Sequence, residues 1–223
     1  MKQIKTIGLV FVAVLAMVAV TSATASAALP ELVNKEGKEV VKKKFTGSSG
    51  ESVFETKAGE KVKCSKGTSN NEVTGLKTQT VENKFTGCSA SILKCKTKGA
   101  AGGEIVIKLE AKLVYISEKE KTVGVDLVLP GTLTIECTGL VSETLVVRGS
   151  TICPTTTALS KTATLTCKDT KGKQEPSEYE EGGKKIKDVT ETEGKGIKNF
   201  AFEESGLSST NTLTFEEEVE IKH

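Results

Sequence analysis

The side chains best suited to chemistry in this chain are six cysteines, Cys64, Cys88, Cys95, Cys137, Cys153 and Cys167. The stretch FTGCSASILKC places Cys88 and Cys95 seven positions apart with no histidine between them. A structural zinc site needs paired C-x-x-C units or histidines, and a thioredoxin-like redox device needs C-x-x-C. Neither spacing occurs, and the one histidine is the final residue, His223. No metal ligand set and no cofactor is therefore expected. An even number of cysteines in an exported chain points to disulfides.

Other catalytic devices lack parts. A Ser-His-Asp or Cys-His arrangement needs an imidazole beside the nucleophile, and a terminal histidine is poorly placed to supply it. Ser91 and Lys94 match S-x-x-K formally, but that pattern is common by chance in a lysine-rich chain and does not open a helix here. Carboxylates are plentiful, and their spacing along the chain does not fix their spacing across a sheet, so a carboxylate pair stays open. Sugar-cleaving sites also offer aromatic platforms, and this chain has no tryptophan and two tyrosines, Tyr115 and Tyr179. The three aspartates, Asp126, Asp169 and Asp188, form no D-x-D-x-D calcium loop. No catalytic residue is assigned.

The first residues bear on compartment. MKQIK is positively charged, Ile7 to Val20 is apolar, and small residues follow with an A-x-A pattern at Ala25 and Ala27. This is the layout of a secretory signal peptide over residues 1–27. The apolar run is shorter than the roughly 18 to 20 residues that span a bilayer, so no integral membrane segment is expected after cleavage. Whole-chain charge is 31 Lys plus Arg against 29 Asp plus Glu; Lys2 and Lys5 belong to the leader, which leaves 29 against 29. With zero net charge and Arg148 as the only arginine, nucleic-acid binding loses its electrostatic basis. The run KEGKEVVKKKF is expected as a solvated edge strand.

Residues 28–223 are expected to form a single all-β domain. In EIVIKLEAKLVYIS, Ile105, Ile107, Leu109, Ala111, Leu113 and Tyr115 alternate with Lys108, Glu110 and Lys112, the mark of a strand buried on one side. TVGVDLVLP continues in phase and completes a hairpin; GTLTIEC, SETLVVRGSTIC, TATLTC and NTLTFEEEVEIK extend the series. The expected fold is an antiparallel meander forming a β-sandwich or β-barrel, stabilised by disulfides. Glu216, Glu218 and Glu220 should form a solvated face opposite Phe215 and Val219. Residues 168–185 are polar, carry Pro176 and a Gly182-Gly183 pair, and are expected as a mobile loop. Strand phase pairs Cys64 with Cys137 and Cys153 with Cys167, leaving Cys88 with Cys95 as a clamp across a short loop. In the chain-entropy model the two short links contribute about 2.5–3 kcal/mol each and the long one about 4.5.

The leader ending in ASAALP, then KVKC, NNEVTG, KFTGC, GEIVIKLEAKLVYI, VRGS, KGKQEP and LTFEEEVEIK, resembles a group of secreted proteins of soil actinobacteria without an assigned activity. The resemblance implies an exported, β-rich bacterial protein and transfers no catalytic residue. The expected function is a secreted, non-enzymatic binding or envelope-associated module whose partner is a cell-envelope or extracellular polymer. A barrel-type carrier of a small apolar ligand is the alternative, and a carboxylate-dependent secreted hydrolase the third.

Overall fold

The computed structural model describes residues 30–222; the expected leader at 1–27 and His223 lie outside the described residues. Strands β1 (Glu31–Asn34), β2 (Lys44–Ser49), β3 (Ser52–Thr56), β4 (Lys61–Cys64), β5 (Lys66–Val73) and β6 (Thr78–Thr86) open the chain. A small hairpin of β7 (Ser89–Ala90) and β8 (Leu93–Thr97) precedes the long β9 (Glu104–Ser117), β10 (Thr122–Thr138) and β11 (Ser142–Pro154). After β12 (Ser160–Asp169) come four short strands, β13 (Gln174–Glu175), β14 (Glu178–Glu181), β15 (Lys184–Lys187) and β16 (Thr190–Lys195), and the 23-residue β17 (Phe200–Lys222). No helix occurs among the described residues, hence none long and apolar enough to cross a membrane.

The all-β, antiparallel expectation holds, and the pairings choose between its two forms. Following the ladders from β17 through β2, β5, β6, β9, β10, β11 and β16 returns to β17. A second path leaves β17 through β3, β4, β7 and β8 and rejoins the far half of β10. The sheet thus closes on itself as a barrel, which removes most free edges.

Alternation explains the wall. On β9, Ile105, Ala111, Leu113 and Tyr115 are buried while Lys108 and Glu110 are exposed. Across the ladder Val123, Val125 and Leu127 sit opposite Tyr115, Leu113 and Ala111, so the expected hairpin keeps one apolar face inward. TVGVDLVLP and GTLTIEC, read as separate strands, are one strand bent by an irregularity between Val128 and Thr132. Pro130 falls where the ladder is interrupted and no N–H is required, and Gly131 takes φ +108°. Glu216 and Glu218 are exposed opposite buried Phe215 and Val219, with Glu220 half-buried.

The disulfides differ from the expected set. Cys153–Cys167 forms as expected, tying β11 to β12. The other four pair as Cys64–Cys88 and Cys95–Cys137. The reason is register: Lys63 pairs with Ser89, bringing Cys64 beside Cys88, and Cys95 lies directly opposite Cys137. Cys88 and Cys95 are indeed neighbours, since the Cys95 N–H donates to the Cys88 carbonyl at 3.0 Å. Each thiol is bonded outward to the next strand instead, so the β7–β8 hairpin is stapled on both sides.

Two segments expected as simple surface are more ordered. Residues 168–185 are not a single loop: Gln174 is 4 % exposed, its Nε2 donates to the Lys168 carbonyl and its Oε1 accepts from the Leu207 N–H, both at 2.9 Å. Gly172, at φ +75°, packs so closely that a Cβ would lie 2.3 Å from the Lys57 nitrogen. An amide and a glycine hold this segment, which is why the lack of aliphatic residues misleads. Residues 35–43 make a turn, not an edge strand, because the Asn34 side chain accepts from the N–H groups of Glu36 and Lys38, both at 3.0 Å.

Candidate functional site

The inward faces of the strands do not fill the barrel. Between two apolar clusters lies a cavity of about 110 Å³. Phe54, Ile107, Leu129, Leu133, Val147 and Leu207 form much of its wall. Several of them, Ile107 and Leu133 among them, are only half-buried although they are in phase with core residues, because they border this space. In phase with Ile107 and Leu109, the same strand's Ala111 and Leu113 lie in the packed core beyond it.

The polar groups on the wall are Ser52, Asn83, Ser150, Thr151 and Thr190. All are neutral, and hydrogen bonds fix the hydroxyl groups among them. The Ser52 hydroxyl lies 2.9 Å from that of Ser209. Thr190 Oγ1 donates to the Ser150 carbonyl at 2.6 Å, so at 2.7 Å from Thr151 Oγ1 it accepts. Gly149, beside them, has φ +91°, and a Cβ there would come within 2.2 Å of the Val189 carbonyl oxygen. Only glycine lets β16 approach β11 this closely. Among the described residues no Asp, Glu, Lys, His or Tyr lines the cavity, and the sulfur on its wall, that of Cys64, is in a disulfide.

Titratable groups are gathered elsewhere. Lys112, Asp126 and Ile152 stand in one row across β9, β10 and β11, on the face turned away from the cavity. The β14–β15 hairpin covers that row, packing Tyr179 and Ile186 against Val114, Ile116 and Ile152. Beneath it Asp126 is 3 % exposed and its Oδ1 has no hydrogen-bond partner among the described residues. Burial, then the charge of Asp188 and a hydrogen bond with its carboxyl group, push Asp126 up to about 7, against the opposing pull of Ser150 and Lys112. Ser150 Oγ also donates a hydrogen bond to Asp188 Oδ1.

A second carboxyl pair joins Glu60 and Glu143 near Lys198. Glu143 is 3 % exposed, and burial, followed by the charge and hydrogen bond of Glu60, raises its pKa. Lys198 forms an ion pair with Glu60 at 2.5 Å. Asp169, the third aspartate, is raised chiefly by burial, while the N–H groups of Gly172 and Lys173 oppose the rise.

No family model, curated protein or solved structure matches this chain.

Among the described residues, carboxyl groups far apart in sequence interact in two places, Asp126 with Asp188 and Glu60 with Glu143. Neither borders the cavity. One signal for Asp126 was present in the sequence, since it is the only charged residue from Val123 to Leu129. Ser91 has φ +54° in the β7–β8 turn beside Ile92, which is 80 % exposed, and so lies outside any cleft. Among the described residues no group of three or more His, Cys, Asp or Glu could hold a metal ion.

Proposed function

We propose that this protein is an exported, non-enzymatic binding protein that holds one small, mainly apolar molecule inside its barrel. The observation that carries this is the wall of the cavity, which is aliphatic and aromatic with only neutral hydroxyl and amide groups. Such a lining favours desolvated carbon and can orient one hydrogen-bonding substituent, but it offers no acid, base or charged nucleophile. A volume of about 110 Å³ is smaller than an engineered apolar cavity of about 150 Å³ that stays dry and binds benzene, so the ligand is smaller than a six-membered ring, of short-chain size. Three disulfides and the leader-like first residues support export.

The test is solvent extraction of natively secreted protein followed by gas chromatography and mass spectrometry. One molecule per chain should be recovered from the wild type and less from Ile107→Phe, which narrows the cavity. A wild-type extract free of any stoichiometric compound, together with no uptake of added short-chain alcohol probes, overturns the proposal.

Binding to an envelope or extracellular polymer is the second reading, supported by the barrel's outside. Thr162, Thr214, Thr46 and Asn70 follow one another across β12, β17, β2 and β5, and all four are exposed. Thr164, Thr212, Ser48 and Thr68 form the parallel row. Uncharged hydroxyls in register suit a hydroxyl-rich polymer. Retention on native envelope preparations that is lost in Thr212→Lys supports this; equal retention of both proteins counts against it.

A further inference from the structure

We propose that the β14–β15 hairpin is a proton-latched flap, held down over the outer face of β9–β11 while a proton bridges the carboxyl groups of Asp126 and Asp188, and loosened when that proton leaves.

The geometry supplies a base, a lid and a latch. At the base, the Asp188 N–H donates to the Ser177 carbonyl at 2.9 Å, so Asp188 sits where the hairpin returns to the barrel wall. The lid is the pair Tyr179 and Ile186, which face each other in the hairpin and cover Val114 and Ile152. The latch is Asp126 beneath them, with one carboxyl oxygen buried and unpartnered among the described residues. An ionised carboxylate in that position would have an unsolvated oxygen facing a second acidic group, whereas a protonated one donates to it.

The charged groups around the latch do not cancel this. From β9, Lys112 faces Asp126 but gives its hydrogen bond to Glu181 of β14 at 3.0 Å. From β11, the Ser150 hydroxyl is engaged by Asp188. From β14, Tyr179 is buried and Lys112 stands 5.5 Å from its ring centre. β15 contributes neutral Ile186 to this face, while Lys187 is paired with Glu204 at 3.1 Å. The hairpin tip is tied separately, by Glu118 accepting from Gly183 N–H at 2.9 Å and Glu180 accepting from Glu118 N–H at 2.7 Å. Loosening therefore begins at the base and centre, over Asp126.

The sign follows from linkage. With the flap open, Asp126 is solvated and titrates near the ordinary aspartate range; closed, it holds its proton to about pH 7. Opening should thus grow with pH between about 4 and 7, by up to about tenfold per unit, and level off above.

Amide hydrogen exchange read by mass spectrometry on the full oxidised chain, corrected for intrinsic exchange at each pH, tests this. Peptides covering residues 178–187 should lose protection between pH 5 and 7, by up to about a hundredfold, and change little from pH 7 to 8.5. Asp126→Asn should make the same peptides insensitive to pH, while peptides from β2 and β5 stay unchanged in both proteins. If Asp126→Asn does not fold, Asp188→Asn should reduce the pH dependence for the same reason. Hairpin protection that is flat with pH in the wild type, or equally steep in the variant that folds, overturns the proposal.

Discussion

Lys112 and Asp126 lie directly opposite each other across the β9–β10 ladder, yet the ammonium group bonds Glu181 on the covering hairpin. The cation is attracted upward, away from the carboxyl group it could neutralise. Burial works to lower the Lys112 pKa, but the Glu181 hydrogen bond and the surrounding charges of Tyr179, Glu181 and Asp126 outweigh it and raise it. The outer face of the barrel thereby acquires a carboxyl group whose charge state depends on pH near neutrality.

Global stability should carry the mark of Asp126. Its folded pKa is raised, so it favours the native state most below the ordinary aspartate range, and that contribution is lost as pH rises toward about 7. Chemical denaturation of the wild type and Asp126→Asn at pH 4.5, 5.5, 6.5 and 7.5 should show the variant gaining on the wild type by up to about 1.4 kcal/mol per pH unit until pH 7. A constant difference across the series contradicts the assignment.

The disulfides should contribute in the order of the loops they close. Sequence separations of 42, 24 and 14 correspond to about 4, 3.5 and 3 kcal/mol for Cys95–Cys137, Cys64–Cys88 and Cys153–Cys167. Paired Cys→Ser variants compared by urea denaturation check the ranking. Non-reducing peptide mapping at acidic pH should recover Cys64 linked to Cys88; a Cys88–Cys95 peptide contradicts the register described.

Gln174 should matter more than its polar surroundings suggest. Its amide serves the Lys168 carbonyl and the Leu207 N–H together, so Gln174→Ala leaves both without that partner. A loss of about 1–3 kcal/mol is expected, with faster tryptic cleavage at Lys171 and Lys173. Cleavage as fast in the wild type as in the variant would mean the segment is mobile after all.

What the sequence reveals and conceals follows one division. Strict alternation, as in Ile105 to Tyr115, announces which face of a strand is buried, and the β9–β10 hairpin was legible from it. Alternation carries no information on which strands become neighbours when they are far apart in the chain. Cys64 and Cys137 do both point inward, but β7 and β8 lie between their strands and take one thiol each. The same limit hid the Asp126–Asp188 and Glu60–Glu143 pairs, which exist only once β11 meets β16 and the β3–β4 turn meets the start of β11. Polar anchoring hid the order in residues 168–185, because Gln174 and Gly172 look like loop residues until their partners are known. The cavity left no sequence signal, since its aliphatic wall reads as ordinary core.

The most direct test of an interior binding site is calorimetric titration of the ligand-stripped, oxidised protein with a short-chain apolar probe bearing one hydroxyl group, such as 1-butanol. The account predicts one-to-one binding with a negative heat-capacity change, weakened in Ile107→Phe although that variant remains folded by circular dichroism. No detectable binding to the wild type, or binding of equal strength to Ile107→Phe, would contradict it.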